Sequence, residues 1–214
     1  MEQKTYSIVD WEDLYGMVKQ VKETEMYHTA QSILLQIVAG ISDPVQIRKM
    51  LTFLEQEIPK AAVSGMTACS SVVQGNMHIN KIDFSFFFFA ESDIEVVVYD
   101  CNEIDPVYAG QDIVKRIGEK ENPVGLQVIA TTSNLAIDGF LNKIMENDEN
   151  MTIFGGGAGV LTEEYAGIMA ENMNTDKSRN HIYAEDNLFV FGKEIYKKGI
   201  IATIFSGKKL KIQA

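Results

Sequence analysis

The chain has 214 residues, 46% of them hydrophobic and 23% charged, the proportions of a globular protein long enough to bury a sizeable core. A formal net charge of −11 argues against a nucleic-acid or anionic-membrane surface, since only Lys208, Lys209 and Lys211 cluster. Two cysteines are too few for a disulfide framework, no apolar run reaches membrane-span length, and no secretory signal opens the chain, so a cytoplasmic protein is predicted.

Met1–Val9 reads as a short, loosely held lead. Asp10 can cap a helix over about residues 10–25, with Trp11, Leu14, Tyr15, Val18 and Val21 at helical spacing. That stripe predicts docking on the core; a dimer seam or signalling helix is the second reading. Ser32–Gly40 contains a buried strand, and Ser42 or Asp43 caps the next helix, with Pro44 in its first turn and Pro59 past its end. Ala61–Gly65 returns as a strand into the hydroxyl-rich turn Met66–Ser71. Ile82–Ala90 and Ile94–Asp100, joined by Glu91-Ser92-Asp93, read as an antiparallel hairpin. The run Phe86–Phe89 is too continuous for a half-exposed strand, which predicts one aromatic pair on each face, between two layers.

Asp105 and Pro106 open a helix that Gly118 and Pro123 bracket at its exit. Leu126–Ala130 is a further strand, Ser133 or Asn134 caps a helix through Met145, and Glu146–Asn150 forms a polar turn. Then comes an apolar run entering a glycine loop, Gly155-Gly156-Gly157-Ala158-Gly159. Thr162–Asn174 reads as helical, Thr175–Asn180 as a mobile polar stretch, and Leu188–Phe191 with Ile200–Phe205 as a second hairpin around Lys193–Lys198. The chain stops at Lys211–Ala214, one short segment after a strand, which predicts continuation into something longer.

Leu34–Ala68 aligns without gaps on Gly125–Gly159 at an offset of 91 positions, Gln36 falling on Gln127 and Gly65 on Gly156. Each copy reads strand, amphipathic helix, strand, small-residue turn. The expected fold is therefore α/β (α+β), with mixed β-sheets, outer helices, and two pseudo-repeats of strand–helix–strand plus hairpin sharing one core. A single domain over residues 1–214 is expected, its halves at about 30–120 and 121–214.

Little here points to catalysis. His28, His78 and His181 lack a ligand spacing, so no metal is expected, and no cofactor is implied. A Walker A loop needs a lysine that does not follow Gly159. A dinucleotide fingerprint needs a third glycine where Val160 stands, and no Gly-x-Ser-x-Gly elbow occurs. The glycine stretch keeps three readings: tight packing of a strand into its turn, capture of a small carboxylate by free backbone N–H groups, and, with the least support, nucleotide binding. Cys69, nine residues before His78, leaves a cysteine-dependent enzyme open; a small buried residue is the plainer reading.

Two stretches carry a family resemblance. Ala62-Val63-Ser64-Gly65-Met66-Thr67-Ala68 resembles the "vvGctTaG" turn of the FIST sensory domain, and Phe154-Gly155-Gly156-Gly157-Ala158-Gly159 its "fGGgAgd" segment. Phe205-Ser206-Gly207 is similar to its closing "LsG". The resemblance runs from about Ile33 onward and corresponds to the N-terminal FIST unit of a bacterial signal-transduction protein. It implies a small-ligand-sensing input domain, the ligand class including amino acids, coupled to C-terminal FIST and output modules such as a diguanylate cyclase or kinase. No catalytic residues are implied. Cys69 and Val160 depart from the family pattern beside the two turns. The expected ligand-binding residues are Gly65, Met66, Thr67 and Ser70 from one copy and Gly155, Gly156, Gly157, Ala158 and Gly159 from the other, lining a cleft. Backbone N–H groups would hold an acid group there. A structural or oligomerising module, self-associating through the Trp11 helix, is the remaining alternative.

Overall fold

The computed structural model describes residues 1–41, 43–131, 135–159 and 188–212. In chain order these form β1 (Glu2–Ile8), α1 (Trp11–Lys22), α2 (Glu25–Thr29), β2 (Ser32–Ala39), α3 (Pro44–Glu57), β3 (Ala61–Thr67), β4 (Ser71–Val73), β5 (Asn76–His78) and β6 (Ile82–Phe89). They continue as β7 (Asp93–Asp100), α4 (Pro106–Gly118), β8 (Pro123–Thr131), α5 (Asp138–Asn147), β9 (Ile153–Ala158), β10 (Val190–Phe191), β11 (Ile195–Tyr196) and β12 (Gly199–Ser206). The expected helix over 162–174 and the polar stretch after it lie outside the described residues. Among the described residues no helix is long and apolar enough to cross a membrane.

Two sheets carry the fold, in the orders β1-β6-β2-β3-β10-β11 and β7-β12-β8-β9, with β4-β5 a small separate hairpin. Pairs β2–β3 and β8–β9 are parallel, joined by the crossover helices α3 and α5; β6 and β12 run antiparallel to β2 and β8. Each sheet therefore contains the same motif: an outer strand, a helix, a central strand, a helix, a parallel neighbour, and a return strand inserted between the first two. That motif ends with β6 and restarts with β7, so the topological repeats meet near residues 90–92 rather than near 120.

Sequence-predicted caps hold where they are described. The side chains of Asp10, Asp43 and Asp105 accept bonds from Asp13, Val45 and Val107 N–H and open α1, α3 and α4. Helix α5 differs: it starts at Asp138, and Ile137 before it makes no side-chain cap bond. Of the α1 stripe, Leu14, Val18 and Val21 are buried with Met17, while Trp11 and Tyr15 are exposed and meet Phe53 of α3 edge-on.

Helices α1 and α3 cover the outer face of the first sheet, burying Leu14, Val21, Ile47 and Leu54 against Leu35, Phe84 and Phe86. Helices α4 and α5 cover the second, burying Ile113, Phe140 and Ile144 against Leu126 and Ile204. The remaining faces look at each other, so the molecule is a four-layer α/β/β/α arrangement with mixed sheets and outer helices. Strand β6 shows why its phenylalanines are contiguous: Phe86 and Phe88 pack into the helix-covered core, Phe87 and Phe89 into the layer between sheets. Fully burying one such side chain contributes about 1.5–3 kcal/mol.

Three expectations are corrected. Met1–Val9 is not a loose lead: β1 pairs with β6 from Glu2↔Phe88 to Ile8↔Ile82. Strands β6 and β7 are not a hairpin, because β6 lies between β1 and β2 while β7 pairs with β12 in the other sheet. The second hairpin joins β10 to β11, and β12 instead pairs with β7 and β8.

Candidate functional site

The residues expected to line a cleft occupy the ends of β3 and β9, and the two ends do meet. Gly159 N–H donates to the Thr67 carbonyl at 3.0 Å, tying one repeat to the other. What surrounds that bond is mostly filled. Thr67 is buried; its hydroxyl accepts from Phe189 N–H at 3.0 Å, and its own N–H donates to the Phe189 carbonyl at 2.9 Å. A Cβ on Gly65 would lie 2.1 Å from Phe191 Cε2, so this glycine makes room for a ring. Met66 is half-buried against the inter-sheet cluster of Val190 and Ile201, and Ser70 is half-buried with its hydroxyl 3.9 Å from Cys69 Sγ.

The glycine stretch is a strand, not a loop. Gly155, Gly156 and Gly157 pair with Val128, Ile129 and Ala130 at the outer edge of the second sheet, as ordered among the described residues. All three are exposed, and Ala158 is buried. Register also shifts the correspondence of the repeats by one: Leu35 faces Val63 as Leu126 faces Ile153, which makes Gly155 the counterpart of Gly65.

The open space lies elsewhere, between the sheets. Leu34, Phe87, Phe89, Phe154 and Phe205 wall a cavity of about 780 Å³, and Glu91, Lys209 and Lys211 stand at its rim. On its floor Gln36 Nε2 donates to Gln127 Oε1 at 2.5 Å. These are the residues that the repeat alignment superposes, so the bond joins equivalent positions of the two copies. A carboxamide offers two donors and two lone pairs, and among the described residues this is the one side-chain bond that either glutamine makes. Their register neighbours include Ser64 and Thr203, whose fully buried hydroxyls have no hydrogen-bond partner among the described residues. A polar seam thus crosses an otherwise apolar layer. Sequence reasoning assigned these glutamines no role, although the signal was present: one polar residue at the same place in two apolar strands.

The chemistry of the remaining titratable groups is that of structural ties. Asp83 accepts bonds from Ser7 and Ser71, and its Oδ1 lies 2.9 Å from His78 Nδ1. The serines address the carboxylate and Ser7 also reaches Nδ1, at 3.1 Å; this is not the relay of a nucleophilic triad, which needs the serine on the far ring nitrogen. Burial pushes the Cys101 thiol up to about 11, which makes it a poor nucleophile. His28 contacts the Lys22 carbonyl at 2.8 Å, and His181 is outside the described residues. Among the described residues no group of three or more His, Cys, Asp or Glu side chains could hold a metal ion.

Cys69 is exposed, and His78 is engaged by Asp83 and Ser7 rather than by the thiol. Cys69→Ser is therefore expected to change stability by no more than about 0.5 kcal/mol. Iodoacetamide should modify Cys69 no faster than an exposed model thiol. Alkylation at pH 7 many times faster than that would instead support the cysteine-enzyme reading. The exposed Trp11 and Tyr15 rings, set against half-buried Phe53, are the feature that suits the oligomerisation reading.

Compared with known proteins, residues 34–214 match the family model of the FIST N domain. No curated protein matches the chain.

Proposed function

Because the chain belongs to the FIST N domain family, whose members are sensory signal-transduction domains, we propose that it is an input domain whose small-molecule ligand occupies the cavity between the two sheets. One observation carries this reading: Gln36 and Gln127, equivalent residues of the two repeats, are bonded to each other on the cavity floor. A ligand seated there touches both repeats at once. It binds better at one spacing of the sheets than at another, and it shifts their equilibrium by that difference in affinity and no more.

The cavity takes precedence over the two turns as the ligand's place, because Phe189 and Phe191 already occupy the Thr67 hydroxyl and the open side of Gly65. The Thr67–Gly159 bond is then the junction about which the repeats adjust. Leu210 and Ile212, from the segment after β12, also line the cavity. Through them occupancy reaches the chain beyond the second sheet, which is the route we assign to a C-terminal output module.

The test is thermal unfolding of the purified domain against amino acids, organic acids and nucleotides. A ligand at 100 times its dissociation constant adds about 2.7 kcal/mol. The expected result is a saturable rise in Tm whose size Gln127→Leu changes and Gly156→Val leaves unchanged. The reverse pattern would put the ligand on the glycine edge and overturn the cavity assignment.

A further inference from the structure

Resting on the cavity reading above, we propose that the ligand is an amphipathic monoanion, an aliphatic or aryl chain ending in a carboxylate, rather than a free amino acid. Size is the first reason. A cavity of about 780 Å³ falls in the range that takes drug-sized molecules, and a single amino acid would leave most of it empty. The walls are the second. Leu34, Phe87 and Phe89 come from the first sheet and Phe154 and Phe205 from the second, with Phe205 ring centroids 5.7 Å from Phe154 and 6.3 Å from Phe89. Such a slot takes an apolar chain or a flat ring.

Charge decides the polar end. An amino acid brings an ammonium as well as a carboxylate, and the ammonium needs an acidic partner. Among the described residues the one acid at the rim is Glu91, and Lys209 already holds it at 2.6 Å. Deeper in, the polar side chains that the described lining offers are the neutral Gln36–Gln127 pair and Ser92, and an ion desolvated against neutral groups alone is costly. Lys211 differs from Lys209: it stands at the rim, exposed, and among the described residues it forms no ion pair. A carboxylate placed there keeps its solvent and gains a cation. The ligand therefore enters chain first, its tail ending at the glutamine floor and its carboxylate at Lys211.

The probe is 8-anilino-1-naphthalenesulfonate, an apolar ring system with one anionic group, titrated into the full chain and followed by fluorescence. One saturable site is expected. Decanoate should displace the dye, whereas leucine, glutamate, decanol and decyltrimethylammonium should compete at least tenfold less well. Lys211→Glu should weaken decanoate about five- to tenfold, the effect of losing an exposed ion pair and adding a repulsion, without altering Tm. Ala90→Trp, at a lining position on the protein surface, should abolish dye binding; if that variant fails to fold, Leu210→Trp fills the cavity from the C-terminal segment. Leucine or glutamate displacing the dye as well as decanoate does would overturn the ligand class while leaving the cavity as the sensory site. Dye binding that survives the folded tryptophan variant, or no saturable site for any of these molecules, would overturn the class and the cavity assignment together.

Discussion

Gly155→Ala is expected to destabilise the domain by more than about 4 kcal/mol, at the severe end of single substitutions, or to prevent folding. Gly155 has φ +147°, and a Cβ there would sit 1.7 Å from the Val128 carbonyl oxygen and 2.7 Å from its carbon. Both are backbone atoms of β8, which is held on its other side by β12, so no side chain can swing away to relieve the clash. In thermal unfolding the loss reads as a fall of roughly 10 °C or more for a domain of this size. Gly156 supplies the control, since nothing lies within 4 Å of its added Cβ. Gly156→Ala should be neutral or slightly stabilising, because a side chain lowers the entropy that glycine loses in a strand. Equal tolerance at the two positions would mean that close strand packing is not what requires Gly155.

That contrast shows which parts of the fold were legible. Both strand–helix–strand units were readable, because β2, α3 and β8 carry strong local signals: continuous apolar strands, aspartate caps and proline at the first helical turn. The glycine part of strand β9 read as a loop because glycine is poor in strands; its pairing to Val128, Ile129 and Ala130, a tertiary fact, overrides that preference. Strand β1 was missed for a related reason. It is an edge strand whose Glu2, Gln3 and Ser7 are exposed, so it lacks the run of apolar residues that marks a central strand.

The hairpin error is more instructive. A short polar link between two apolar runs is equally consistent with a hairpin and with a chain that leaves one sheet for the other. Local spacing does not separate them; the partners of Phe84–Phe89, supplied by β1 and β2, do. The cavity was invisible for the same reason, being assembled from residues of β2, β6, β8, β9 and β12 and from residues 209–212. Its glutamines were half visible. The repeat alignment placed Gln36 on Gln127, yet nothing in a one-dimensional pattern says that the two superposed residues also touch.

Asp83→Ala is expected to lower stability by roughly 3 kcal/mol, the scale of removing a buried charged acceptor from partners left unpaired. Asp83 is 4% exposed, and the groups bonded to it come from β1, from β4 and from β5. Hairpin β4–β5 pairs with no other strand among the described residues, so this carboxylate is a principal tie holding it to the first sheet. Burial alone would raise the Asp83 pKa; the bonds from Ser7, Ser71 and His78, with the charge of His78, outweigh it and hold the carboxyl below its usual range. Because the folded value lies below the unfolded one, near ~3.9, the stabilisation is present above that pH and is lost as pH falls through the folded value. Tm measured from pH 7 down to pH 3 should show the gap between parent and Asp83→Ala narrowing at the acid end. Glu95 and Asp112, also held low by their cationic partners, titrate in both proteins and cancel in the comparison. A gap that stayed constant to pH 3 would mean that shape and hydrogen bonding, not the carboxylate's charge, fix the hairpin.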